Sequence, residues 1–204
     1  MPPTDVSPAD PTGPPARGRV RWRRFAILFV PAMAAAVTMV VLTTEGVLAA
    51  SISVSGSAFE VSANQLQGTG FEQFGGIATQ ATGTQHPVAV SVIRNATLQS
   101  LCQSVAVGPF TLVLRAGAGS TPVSAENLVV DADQLSGNAT FTNIAIGQDA
   151  GTLTEVPGTT GASGGFGEQA DTIVITNLRQ HTWLTTAGTF TLPGLSLSFS
   201  RSGC

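Results

Sequence analysis

Val61-Ser-Ala-Asn-Gln-Leu-Gln-Gly68 returns 69 residues later as Val130-Asp-Ala-Asp-Gln-Leu-Ser-Gly137, the same at five of eight positions. Two further echoes follow. The run ending at Asn95 is repeated by Ile173-Val-Ile-Thr-Asn177 at an offset of 82, and Gly108-Pro-Phe-Thr-Leu112 by Gly188-Thr-Phe-Thr-Leu192 at an offset of 80. The offset jumps where a glycine-rich insert, about 147 to 167, enters the second half. Residues 57–119 and 124–199 therefore read as two copies of one unit.

Both copies alternate apolar with polar residues. Phe59 and Val61, then Val88, Val90 and Val92, then Phe110, Leu112 and Leu114 show it in the first. Ile173 and Ile175, then Leu195, Leu197 and Phe199 show it later in the chain. A period of two puts every second side chain on one face, the mark of a half-buried strand. No window after residue 50 holds helical spacing, and Gly, Pro and Asn interrupt the runs as turns require. The expectation is an all-β domain over 51–204 in which a duplicated β-unit forms a sandwich or a rolled antiparallel sheet. A parallel β-helix is the alternative, although two repeats are few for a solenoid.

Upstream the composition changes. Residues 1–24 are proline-rich and then basic, with Arg17, Arg19, Arg21, Arg23 and Arg24, and read as a disordered cytoplasmic tail. Phe25 to Leu42 has no charge, and the apolar segment 25–48 reads as one hydrophobic helix, either a membrane anchor or a signal segment cut after Ala49. Positive flanks stay cytoplasmic, so the rest of the chain is expected on the extracellular face.

The exported part has four arginines against nine acidic residues, a net charge of −5, and the chain contains no lysine. Nucleic acid demands clustered basic residues, so it is excluded as a partner. Cys102 and Cys204 are an even pair in an oxidising compartment and predict a disulfide closing a loop of about 100 residues.

Several stretches carry a family resemblance together: FEVSANQLQGTGF from Phe59, HPVAVSVIRNATLQSLCQSV from His86, ATFTNIAIG from Ala139 and TTAGTFTLPGLSLS from Thr185. With the arginine-flanked leader they resemble a family of exported actinobacterial proteins, chiefly from Streptomyces, known as a domain of unknown function and often labelled cholesterol esterase. The resemblance implies a cell-envelope location and brings no catalytic residues with it.

The esterase label has to be tested on the residues. Gly161-Ala-Ser163-Gly-Gly165 spells a nucleophile motif, and Asp171 and His181 follow in the order a hydrolase triad uses. That motif belongs on a strand-to-helix turn, whereas here it lies in a glycine-rich insert with no helix after it. No catalytic residue is assigned. His86, before Pro87, reads as a turn residue. Asp131 and Asp133 share a strand face but are too few for a hard cation, so no metal and no cofactor are expected.

These readings describe an envelope protein, tethered or secreted, with a structural or interaction role. Its expected partners are the membrane, lipid, other envelope proteins or a second copy of the chain. A lipid-binding module and an ester hydrolase are the alternatives.

Overall fold

The computed structural model describes residues 53–54 and 56–204. The tail, the apolar segment and the cut after Ala49 lie outside the described residues. Among the described residues no helix is long and apolar enough to cross a membrane.

Residues 51–204 form one compact unit. Its strands are β1 (Ser53–Val54), β2 (Phe59–Gln80), β3 (Gln85–Gln99), β4 (Leu101–Val107), β5 (Phe110–Ala116), β6 (Val123–Thr142), β7 (Ala145–Asp149), β8 (Phe166–Thr186), β9 (Thr189–Thr191) and β10 (Ser196–Ser200). A single 3-10 turn, η1 (Ala150–Thr152), follows β7.

All strands belong to one sheet in the order β10-β5-β4-β2-β3-β6-β8-β7, and β2 also pairs with β8. That extra pairing closes β2, β3, β6 and β8 into a barrel. It runs from Phe59–Thr182 to Phe74–Gly167 and is antiparallel, like every pairing except the short β1–β2 contact. An antiparallel register rules out the parallel β-helix. Because one sheet rolls on itself, the core lies inside the roll and not between two separate sheets. Closure also gives the long strands partners on both sides, so their backbone groups are not left as open edges.

The sequence copies fall on equivalent places in this ring. The first begins with β2 and β3, the second with β6 and β8. At Ser100, which takes a left-handed backbone (φ 54°), the chain leaves β3 and continues as β4. β4, β5 and β10 then extend the sheet outward from the start of β2.

The alternation explains the core. Leu66, Phe71, Ile93, Leu128, Ile173 and Leu178 point inward and are buried, with Phe141 packed on Phe71 at 5.5 Å. Burying each such side chain stabilises the fold by about 1.5–3 kcal/mol. Gly68 allows the strands to coil tightly, since a Cβ there would come within 2.6 Å of Ile93 Cγ2. A cavity of about 90 Å³ remains inside, with Gln73, Ser91, Glu168 and Gln180 among its otherwise mostly apolar walls.

Candidate functional site

The hydrolase motif sits in the glycine-rich insert, which is a cover for the outer face of the barrel. Leu153 and Val156 pack with Ala150 on Phe74 and Val92. Gly161 donates its N–H to the Ala150 carbonyl, and Ala150 donates to Gly165. A Cβ on Gly161 would lie 2.8 Å from the Phe74 ring, so this glycine is demanded by packing. Ser163 lies beside Gly151 and near Asp149, whose carboxylate accepts from the Gly151 and Gly164 N–H groups.

Below the insert, Glu72 is fully buried, and its Oε1 accepts from Val156 N at 2.6 Å while Oε2 has no partner. Burial pushes the Glu72 carboxyl above its ordinary pKa. The Val156 and Glu155 backbone N–H groups pull it partly back, the Glu155 charge adds to the rise, and Arg94 opposes it.

The three triad candidates are not brought together. Asp171 accepts from Asn143 Nδ2 at 2.6 Å. His181 lies ten residues further along β8, opposite Glu60 and Gln134. In an extended strand that separation is about 33 Å. Ser163 stands by Asp149, which pairs with Phe166 at the opposite end of β8.

His181 has a different partner. Its Nδ1 lies 2.6 Å from Asp133 Oδ1, and Trp183 Nε1 donates to Asp133 Oδ2 at 2.9 Å. Two successive irregularities in the β6–β8 register make this cluster. Leu184 pairs with Asp131 and Thr182 with Ala132, which leaves Trp183 as an extra residue on β8. Gln134 then pairs with His181, which leaves Asp133 as an extra residue on β6. Bulges of this kind re-aim side chains. Asp131 stays in the ladder opposite Val90 and Leu184, while Asp133 lies in the bulge.

His86 completes the group by stacking on Trp183 at 3.8 Å, with its Nε2 buried and unpartnered. Both histidines of the chain therefore meet at one tryptophan, His181 edge-on at 6.0 Å. Spacing alone hides this arrangement, because His86 and His181 come from different sequence copies and the bulges leave no mark in the apolar pattern.

Burial pushes the Asp133 carboxyl up, but the Trp183 indole N–H and the His181 ring outweigh it and hold it below its ordinary pKa. An ionised carboxylate can only accept, so a ring proton sits on Nδ1 facing Asp133, and Nε2 is the nitrogen that points away from it. A histidine held by a carboxylate in this way can act as an oriented base, and Ser163 is not part of the pair. Among the described residues no group of three or more His, Cys, Asp or Glu side chains could hold a metal ion.

The opposite region of the sheet is apolar and open. Cys102 is bonded to Cys204. The tail therefore folds over one face of β4 and β5, where Cys204 N donates to Ser104 Oγ at 3.1 Å and Val113 is buried. The other face carries Val105, Val107, Phe110, Leu112, Leu114, Leu197 and Phe199 in register across three strands. Phe199 is 68% exposed and Leu197 63%. A hollow of about 310 Å³ opens there between Phe59, Leu112, Leu114 and Leu197.

Residues 55–204 match the model of a family of unknown function, DUF6230. The chain belongs to this family. No curated protein and no solved structure matches it. Within this DUF6230 chain the match takes in the whole barrel, the insert, the double bulge and both cysteines.

Proposed function

We propose that this protein is an exported, envelope-associated interaction protein that rests on the membrane through the apolar face of β4, β5 and β10. The observation that carries this reading is the row of exposed Leu197, Phe199, Phe110 and Val107 on a sheet braced from behind by a disulfide. Contiguous exposed apolar surface marks a protein or membrane contact. Ser57 and Phe59, where the chain enters the domain, line the same hollow. In the sequence they follow the apolar segment 25–48 by about nine residues. The domain's net charge of −5 leaves apolar insertion, and not attraction to anionic lipid, as the driving force. The exported actinobacterial setting that the sequence resemblance implies supports the same reading.

Lipid engagement belongs on this outer face, because the interior cavity of about 90 Å³ is well below the ~300–1,000 Å³ of ordinary ligand pockets. Flotation of the 51–204 unit with phosphatidylcholine–phosphatidylglycerol liposomes tests the proposal. The domain is expected to rise with the vesicles, and the Leu197→Ser/Phe199→Ser double variant to stay behind. A domain that ignores the vesicles overturns it, and discrete multimers abolished by the same substitutions would replace the bilayer with a second copy of the chain.

Ester hydrolysis, the activity named by the label cholesterol esterase, is a second reading favoured by one observation, the imidazole oriented by Asp133. It requires turnover of p-nitrophenyl butyrate that is lost in His181→Asn and kept in Ser163→Ala. A rate equal to that of buffer excludes it.

A further inference from the structure

The outer face of the barrel carries an ordered polar surface that neither the membrane reading nor the His181 cluster uses. Five strands lie side by side there as β8-β2-β3-β6-β9. One rank across them is Thr172, Thr69, Asn95, Glu126 and Thr189, each paired with the next. The neighbouring rank, two residues away on every strand, is Val174, Gln67, Thr97, Ser124 and Thr191. Residues two apart on a strand share a face, so the ten side chains form a grid about 4.8 Å by 6.7 Å.

This grid is concave. All ten side chains line one hollow of about 620 Å³, with Gly68, Ala96, Ala125 and Ile173 between the ranks. That volume suits an ordinary ligand. Eight of the ten positions offer hydroxyl or amide groups, Glu126 is the one charge and Val174 the one apolar side chain. These groups are nearly unspent: among the described residues, the one side-chain hydrogen bond within the grid is Asn95 Nδ2 to Thr69 Oγ1, at 3.5 Å.

The chemistry limits the occupant. No arginine lines the hollow, and Glu126 repels anions, so phosphorylated and other acidic ligands are disfavoured. An apolar ligand would strand the hydroxyl and amide groups without water. A neutral polyhydroxylated ligand meets every requirement. Its hydroxyls both donate and accept, as Thr, Ser, Asn and Gln do. Its ring C–H faces pack on threonine methyls, and Glu126 accepts from a pair of its hydroxyls. We propose that this hollow binds a neutral glycan chain lying across the five strands.

The test is isothermal titration calorimetry of the full chain in a zwitterionic, sugar-free detergent. The probes are hexamers of α-1,4-glucose, β-1,4-glucose and β-1,4-N-acetylglucosamine. At least one hexamer is expected to bind, and Thr69→Val/Thr97→Val to weaken it by about tenfold, near 1.4 kcal/mol. Valine keeps the shape and strand preference of threonine, so the fold is expected to persist. If the variant does not fold, amide shifts in the unaltered protein decide: changes at Thr69, Asn95, Ser124 and Thr191 support the site. No binding of any hexamer at millimolar concentration overturns the proposal, as does equal affinity in the folded variant or amide shifts confined to other surfaces.

Discussion

Asp133 and Trp183 are each the extra residue of a bulge, on neighbouring strands, and the two meet through a 2.9 Å hydrogen bond. Each bulge alone would turn a polar or aromatic group away from the ladder with nothing to bind it. Together they satisfy one another, and His181 takes the second carboxylate oxygen. The irregularity is thus held by the side chains that it redirects.

Removing one partner exposes that dependence. Trp183→Phe is expected to cost about 1 kcal/mol and Asp133→Ala about 1–2 kcal/mol, a discounted figure because the site is only partly buried. The double variant should lose less than the sum, with a coupling of at least ~0.5 kcal/mol by chemical denaturation. Additive losses would mean that the two bulges hold independently.

Acid should attack the same place. The folded-state pKa of Asp133 is lowered, so its stabilisation is present above the unfolded value near 3.9 and is lost as pH falls through the folded value. Melting temperatures followed from about pH 5 downward should converge between wild type and Asp133→Asn. A constant gap would show that the charge on Asp133 contributes nothing.

Glu72 carries the opposite sign. Its pKa is raised on folding, so its contribution is greatest below the unfolded value near 4.3 and diminishes as pH rises through the folded value. Relative to Glu72→Gln, wild type should be more stable near pH 4 than near pH 7. The readout is the difference in melting temperature between the two proteins at each pH, which cancels the other titrations.

Within the insert, Gly161 and Ser163 should separate cleanly. Gly161→Ala forces a methyl against Phe74 and is expected to destabilise by about 1–3 kcal/mol, while Ser163→Ala should stay within about 0.5 kcal/mol. A larger loss for Ser163→Ala would give that serine a role beyond the cover.

Reduction of Cys102–Cys204 frees a loop spanning 102 residues, at a cost of about 4–5 kcal/mol in the chain-entropy view. It also uncovers Val113. The expected outcome is a lower melting temperature in Cys102→Ser/Cys204→Ser, together with faster hydrogen exchange in β4 and β5. Unchanged exchange there would mean that the tail stays in place without its bond.

Much of the architecture was legible because it follows from local rules. Alternation over Val88, Val90 and Val92 or over Ile173 and Ile175 states which face is buried, and antiparallel β-structure needs little more. The pairing of the two cysteines was expected from their even number. Closure of β2 on β8 was not legible, since alternation fixes a strand's faces and says nothing of its neighbours. The cluster around Trp183 was hidden for a related reason: one extra residue on each strand redirects Trp183 and Asp133, and nothing in the apolar spacing marks where a strand bulges. The Gly161–Gly165 motif was discounted on context, and the structure supplies the reason for its glycines: a short backbone pressed against Phe74 selects the same residue type as a strained turn around a nucleophile.

The seam between β2 and β8 also sets the order in which the molecule can be made. Phe59 to Phe74 must wait for Gly167 to Thr182, 93 to 123 residues downstream, before that edge is paired. Long-range pairing of this kind slows folding, and an unpaired edge invites pairing with other chains meanwhile. As the chain emerges, β3 can zip onto β2 through a hairpin of only four residues, Ala81–Thr84, while the other edge of β2 stays open. The nascent protein thus passes through an open-sheet state, and its greatest risk of misassembly falls in the interval before β8 arrives.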